Sequence, residues 1–248
     1  MRAVLVTGGA KRLGAAFARA LAEARWRVVI HYGQSREAAE ALAAEIGGAA
    51  VQADLADLEG LPGLVARAAD AAGMPLSGLV NSASVFAHDT VEDVGPDSLA
   101  RHHAVNAAAP SLLTQAFARQ VPSDVAKGGD ACAVYILDQK LWSPNPDHYA
   151  YTLSKAALRE GVRLGAQSLA PVRVVGVAPG YCLPNPTETE ERFRARADKH
   201  NLLARRLEPA HVAQAVRFAL ECPAVTGSTI LADNGEHLVA TDRDVVFT

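Results

Sequence analysis

The chain has 248 residues, half of them hydrophobic and 21% charged, with a net charge of −3. This balance excludes a disordered chain, a collagen-like repeat and a coiled coil, and it lacks the clustered basic surplus that nucleic-acid binding needs. Cys132, Cys182 and Cys222 are few, odd in number and in no metal-ligand spacing, which speaks against a disulfide framework and for a reducing cytoplasm.

In chain order, Ala3–Thr7 reads as a first strand and Leu13–Ala24 as an amphipathic helix. That first strand starts directly after Met1-Arg2, which makes a secretory signal peptide hard to place. No apolar run reaches the roughly 18 residues of a membrane span, so no membrane partner is expected. Arg27–Tyr32 is the second strand and Ser35–Ile46 the second helix, with Ser35 as N-cap and Gly47-Gly48 as its stop. Strands follow at Ala49–Ala53, Ser77–Asn81, Ala131–Leu137, Val172–Ala178 and Ser228–Ala232, and helices at Leu58–Ala72, Ser98–Gln120, Tyr149–Leu169 and Pro209–Leu220. Most of the strands are continuously apolar, as strands covered on both faces are. The alternation predicts right-handed βαβ crossovers and a single α/β domain over residues 1–248: a Rossmann fold with a doubly wound, seven-stranded parallel sheet flanked by helices. The stretch Tyr181–Leu207 breaks the alternation. It contains Pro184 and Pro186 and then a charged run from Glu188 to Arg196. Its two readings are a solvated surface helix and a substrate lid over the C-terminal edge of the sheet; the lid is the expectation here.

The first strand–helix turn is Thr7-Gly8-Gly9-Ala10-Lys11-Arg12-Leu13-Gly14. Glycines there permit a tight turn and a close backbone approach, and a helix N-terminus offers free N–H groups to a diphosphate. Arg12 stands where a middle glycine is usual, with Lys11 beside it. The second strand ends in His31-Tyr32-Gly33-Gln34-Ser35-Arg36, with no carboxylate for a ribose 2′-hydroxyl. Missing acid and added cation both favour a 2′-phosphate and therefore NADP(H). Asp54, after the third strand, reads either as an acceptor for the adenine amino group or as the cap of the next turn, and Leu55 beside it is a further candidate cofactor contact. The small residues Asn81, Ser82, Ala83 and Ser84 let the chain pass close to the cofactor.

Tyr151 and Lys155 are four residues apart on one helix face. A phenol with its ordinary pKa of about 10 is a poor proton-transfer group near neutrality, and a cation one turn away is expected to lower it. With these residues the chain resembles the short-chain dehydrogenase/reductase family over nearly its whole length: Thr7–Gly14, Asp54, Asn81–Ser84, Asn106, Tyr151 with Lys155, and Pro179-Gly180 stand in the family's order. The resemblance implies that Asn106 carries a helix kink and a water relaying protons to Lys155, and that Pro179-Gly180 lies by the nicotinamide. It also implies a homotetramer paired through the alanine- and leucine-rich helices Ser98–Gln120 and Tyr149–Leu169.

One family residue is replaced. Asp138 stands thirteen residues before Tyr151, where a carbonyl-holding serine is usual. An ionised carboxylate cannot donate to a ketone oxygen and opposes a developing alkoxide, whereas a C=N substrate needs a proton on nitrogen. Asp138, the Thr-Gly-x-x-Lys-Arg-x-Gly turn and the His-Tyr-x-x-Ser strand end together look like the pteridine reductases, including the bacterial dihydromonapterin and dihydrofolate reductases of this fold. That likeness implies catalysis by Asn106, Asp138, Tyr151 and Lys155, with Ser84, Phe86, Tyr151 and Tyr181 at a pterin-like substrate. Phe86 would stack on the ring. The expectation is thus an NADPH-dependent reductase of a pterin or folate-like ring. The alternatives are a generic carbonyl or 3-oxoacyl reductase and, disfavoured by Tyr151, Lys155 and Asn106, a non-catalytic dinucleotide-binding regulator.

Overall fold

A computed structural model describes residues 2–185 and 188–247; Pro186, part of the expected lid, lies outside them. Along the chain run β1 (Arg2–Val6), α1 (Arg12–Glu23), β2 (Trp26–Tyr32), α2 (Arg36–Glu45), β3 (Ala49–Gln52), α3 (Leu61–Ala72), β4 (Leu76–Asn81), α4 (Pro96–His103), α5 (Ala109–Gln120), α6 (Ser123–Lys127), β5 (Cys132–Ile136), α7 (Tyr149–Ser168), β6 (Arg173–Pro179), α8 (Glu190–Arg196), α9 (Pro209–Glu221) and β7 (Thr229–Ala232). The strands form one parallel sheet in the order β3-β2-β1-β4-β5-β6-β7, as expected.

Period-two alternation divides each strand between two cores. Val4 and Val6 of β1 pack with Phe17 and Leu21 of α1 and Val216 and Leu220 of α9. Ala3 and Leu5 face the other side, with Leu64 of α3, Leu113 and Phe117 of α5 and Leu158 of α7. Each fully buried Leu or Phe contributes about 1.5–3 kcal/mol, so both sheet faces are strongly fixed. Strand order reverses between β1 and β4, and this opens a crevice at the C-terminal edge of the sheet.

Three local features differ from the sequence expectation. The stretch Ser98–Gln120 is not one helix: α4 passes into a π-helical turn, Ala104–Ala108, before α5. Pro110 has no N–H to return to the carbonyl of Asn106, which loosens the ladder at that point. Ser35 occupies the N-cap of α2 without a side-chain capping bond. The short α6 is the third difference, whereas the charged run expected from Glu188 to Arg196 does form a helix, α8.

Candidate active site

The glycine turn is built against the loop after β4. Thr7 Oγ1 accepts the backbone N–H groups of Ser82 and Ala83 at 3.0 and 3.1 Å, which draws the two loops together. Gly8 has φ +62°, and a Cβ there would come within 2.9 Å of Ala83 Cα; a Cβ on Gly14 would collide with the Gly8 carbonyl. These positions form a backbone cradle at the N-terminus of α1, where the first N–H groups of a helix have no intrahelical partner and can face an anion. Arg12 itself sits at φ 54°, the conformation that explains why glycine is usual there. Its guanidinium donates to Pro184 O at 2.7 Å, spanning the crevice to the segment after β6.

His31 does not line the cavity. It is buried behind the turn, where Nδ1 accepts from Gly8 N at 3.2 Å and Nε2 lies 3.1 Å from Ala53 O. Burial lowers its pKa to about 4, so the ring is neutral and props the turn through its Nε2–H tautomer. Tyr32 and Leu55 are core side chains. Gln34 and Asp54 are exposed and Ser35 partly so, along the edge beyond the cavity; Asp54 Oδ1 accepts from Ala56 N at 2.9 Å. Asn81 is buried, and its amide donates to Thr114 Oγ1 at 3.4 Å.

A cavity of about 560 Å³ runs from this cradle to α7. Gly8, Lys11, Arg12, Leu13 and Gly14 line it from the glycine turn, Ser82, Ala83, Ser84 and Phe86 from the loop after β4, Asp138, Tyr151 and Lys155 from the end of β5 and from α7, and Pro179, Gly180 and Tyr181 from the end of β6. The Tyr151 hydroxyl donates to Asp138 Oδ2 at 2.7 Å, while Asp138 Oδ1 accepts from Lys140 N at 2.8 Å. Lys155 Nζ donates to Ile136 O at 2.7 Å and stands 5.6 Å from the Tyr151 ring centre. The expected lowering of the Tyr151 pKa by Lys155 is corrected here. Burial and then the facing Asp138 carboxylate push the phenol well above 10, and burial lowers Lys155 to about 8. Burial likewise raises Asp138. Tyr151 is therefore held as a neutral proton donor.

Asn106, fully buried at the π turn, acts as a staple. Its amide donates to Val85 O at 2.9 Å and Ser154 Oγ at 3.0 Å, and its Oδ1 accepts from Val85 N at 2.8 Å and Ser84 Oγ at 3.2 Å. It thus fixes the loop carrying Ser84 and Phe86 against α7. Phe86 is 40% exposed. One face stacks on His148 at 4.1 Å and its ring meets Tyr151 edge-on at 4.7 Å, an arrangement that presents an aromatic surface beside the phenol.

The far wall comes from two segments, of which sequence reasoning missed the one beyond β7. Gln139, Lys140, Ser143 and Asn145 line it from the loop after β5, and Glu236, Val239, Thr241, Asp244 and Val246 line it from beyond β7. Glu236 accepts from Tyr181 N at 2.7 Å and Gln139 Nε2 at 2.9 Å. The Tyr181 hydroxyl is turned away to Glu188. Arg196 of α8 donates to Val246 O at 2.9 Å, tying the expected lid to this C-terminal wall. The Asn234-Gly235 pair, at φ 54° and 79°, was the one legible sign that the chain turns back here. Among the described residues no cluster of side chains suits a metal ion, and no helix is long and apolar enough to cross a membrane.

Comparison with known proteins agrees with this geometry. The family model described as enoyl-(acyl carrier protein) reductase matches residues 8–237. An uncharacterized oxidoreductase of Methylorubrum extorquens is 31% identical, over 94% of this chain and 97% of its own. A dihydromonapterin reductase of Enterobacter sp. (strain 638) is 27% identical, over 96% and 97%. The crystal structure of FolM alternative dihydrofolate reductase 1 from Brucella suis in complex with NADP superposes with a TM-score of 0.90 at 37% identity, covering 98% of both chains.

Proposed function

Since the chain belongs to the short-chain dehydrogenase/reductase family, we propose that it is an NADPH-dependent reductase of a pterin or folate-like ring. The observation that carries this reading is the 2.7 Å bond from the Tyr151 hydroxyl to Asp138, in the same cavity as the Gly8–Gly14 cradle. Named relatives that act on dihydromonapterin or dihydrofolate support it.

Gly8, Gly14 and the first N–H groups of α1 hold the diphosphate. Lys11 and Arg12 supply positive charge for a 2′-phosphate, with Gln34 and Ser35 as neutral donors at the end of β2. When bound, NADPH supplies the hydride. The chain's own work is then to hold the ring and protonate nitrogen. Phe86 offers a stacking face worth about 0.5–1.5 kcal/mol beyond burial. Tyr151 gives its phenolic proton to the reacting nitrogen, and Asp138, itself partly open to the cavity, returns one from solvent. Lys155 offsets the charge left on the phenol. A ketone would meet the Asp138 carboxylate where it needs a donor, which disfavours the carbonyl-reductase alternative.

The segment 181–207 serves as the lid, through its ties to the C-terminal wall. The working form is a cytoplasmic homotetramer, a reading supported by three free cysteines and by Leu153 and Leu164 standing 47% and 62% exposed on α7. Light scattering near 26 kDa would remove the tetramer. For the activity, NADPH oxidation is followed with dihydromonapterin, dihydrobiopterin, dihydrofolate, a simple ketone and a 3-oxoacyl thioester. Turnover of a dihydropterin or dihydrofolate is expected. Turnover of the ketone or thioester alone would replace this reading with the carbonyl-reductase one.

A further inference from the structure

Glu236 is a carboxyl on the cavity wall with no ion-pair partner among the described residues. It is 7% exposed, and a Cβ on Gly180 would strike its Oε2, so it lies directly behind the Gly180 backbone. Its two bonds, from Tyr181 N and Gln139 Nε2, come from neutral donors. The charged groups facing it are alike in sign: Asp138 after β5, Asp233 after β7 and Asp244 in the C-terminal segment. The Cys182 thiol also faces it, and its pKa is pushed up to about 12. The nearby cations are committed elsewhere. Lys140 pairs with Asp244 at 3.3 Å, His237 with Asp233 at 2.6 Å, Lys155 bonds Ile136 O and faces Asp138, and Arg12 bonds Pro184 O. Burial first, then these carboxylates, raise Glu236 to about 8. A buried carboxyl without a counter-charge keeps its proton near neutral pH and gives it up when a ligand brings positive charge beside it.

The layout says which part of a ligand that is. The Gly8–Gly14 cradle, the Tyr151–Asp138 pair, Leu137, Gly180 and Glu236 all line one cavity. A dinucleotide held at the cradle and reacting beside Tyr151 would bring its nicotinamide into the space that Glu236 borders. Oxidised nicotinamide is a cationic pyridinium; the reduced ring is neutral. We propose that Glu236 is the counter-charge for the oxidised nicotinamide, so that binding of NADP⁺, but not of NADPH, expels a proton from Glu236. Forming the cationic ring during reduction is then assisted by an anion placed behind it. This inference rests on the NADP(H) reading above and not on the identity of the substrate.

The experiment needs no turnover. Dissociation constants of NADP⁺ and NADPH are measured between pH 6.5 and 9, and their ratio is taken, which cancels the titration of the 2′-phosphate common to both. In the wild type the ratio should fall roughly tenfold across this range, as linkage to one proton allows. Glu236→Gln, which keeps an acceptor for Tyr181 N, should show a flat ratio with NADPH affinity little changed. Calorimetry of the wild type at pH 7.5 in buffers of different ionisation enthalpy gives a second readout that needs no variant: proton release with NADP⁺ and none with NADPH. A slope that survives in Glu236→Gln would assign the linkage to Lys155 and overturn the proposal, as would the absence of proton release. Failure of both nucleotides to bind would overturn the cofactor reading and this inference with it, whereas tight binding of both at a pH-independent ratio would overturn this inference alone.

Discussion

Asp147 and Arg243 are 96 residues apart in the chain and meet as a bidentate pair, with Nε on Oδ2 and Nη2 on Oδ1, both at 2.8 Å. Asp147 Oδ2 also accepts from Asp244 N at 2.8 Å, and the Asp147 carbonyl accepts from Lys140 Nζ at 2.6 Å. The loop entering α7 therefore holds the segment that supplies Thr241, Asp244 and Val246 to the cavity. Arg243 keeps the Asp147 carboxyl far below the usual carboxylate range. Its contribution is thus present above the ordinary value of about 4 and fades only below it.

Arg243→Ala should loosen this wall without touching the cradle. The expected result is a severalfold rise in KM for the ring substrate, with NADPH affinity unchanged. Steady-state kinetics beside a direct NADPH titration check it. Equal losses on both ligands would mean that the pair supports the whole domain rather than the substrate end.

Arg12 should decide between the two nicotinamide dinucleotides. Binding NADPH would require its guanidinium to leave or share Pro184 O for the 2′-phosphate. A charge-assisted bond of this kind contributes about 1.5–3 kcal/mol, or roughly one to two powers of ten in affinity. Arg12→Ala should weaken NADPH by about that factor and leave NADH nearly unaffected. A wild type that binds NADH as tightly as NADPH would refute the assignment.

The parts legible in the sequence were those carried by short-range pattern. Apolar runs such as Val172–Ala178 and helical faces such as Leu58–Ala72 report burial directly, and the Gly8–Gly14 turn needs only local geometry. Tyr151 and Lys155 were visible because four residues make one helical turn. Asn106 could be named, but its role as a staple between Val85 and Ser154 depends on a loop 21 residues and a helix 48 residues away. Glu236 and Arg243 carried no signal, since their partners lie across the sheet edge. The expected effect of Lys155 on Tyr151 erred because spacing places two residues on one face without fixing where their polar ends point; Lys155 reaches Ile136 O, and Asp138 governs the phenol.

His31 should make the protein acid-sensitive before its carboxylates do. Its folded-state value of about 4 lies below the ordinary 6.5, so the unfolded chain takes up its proton first as pH falls. Stability is therefore full above about pH 6.5 and declines below it by up to about 1.4 kcal/mol per pH unit, until the folded ring protonates near 4. His31→Gln can still bond Gly8 N and Ala53 O but does not titrate. Urea midpoints at pH 7.5, 6 and 5 should fall more steeply for wild type than for the variant. Parallel lines would show that His31 takes up its proton as readily in the folded protein as in the unfolded chain.

Asp138→Ser separates the two enzyme readings. Asp138 acts on its neighbours in two opposite ways: it raises the Tyr151 phenol and it supports the charged form of Lys155. Removing it makes the phenol more acidic and moves Lys155 further below about 8, so the alkaline limb of the rate profile should shift to lower pH. The variant also loses the group that returns a proton to Tyr151. General acid catalysis of this kind is worth about 10²–10⁴-fold, so dihydropterin reduction should fall by at least about tenfold. The new hydroxyl can donate to a carbonyl oxygen, so activity on simple ketones should hold or rise. NADPH affinity should change little, because the side-chain bonds of Asp138 go to Lys140 N and the Tyr151 hydroxyl and not to the cradle. Tyr151→Phe, which keeps the ring but loses the proton, should abolish both activities. Comparing the two variants on a dihydropterin and a ketone, with NADPH titrations alongside, gives the answer. Undiminished dihydropterin reduction in Asp138→Ser would make Asp138 a bystander and remove the chemical reason for preferring a C=N substrate.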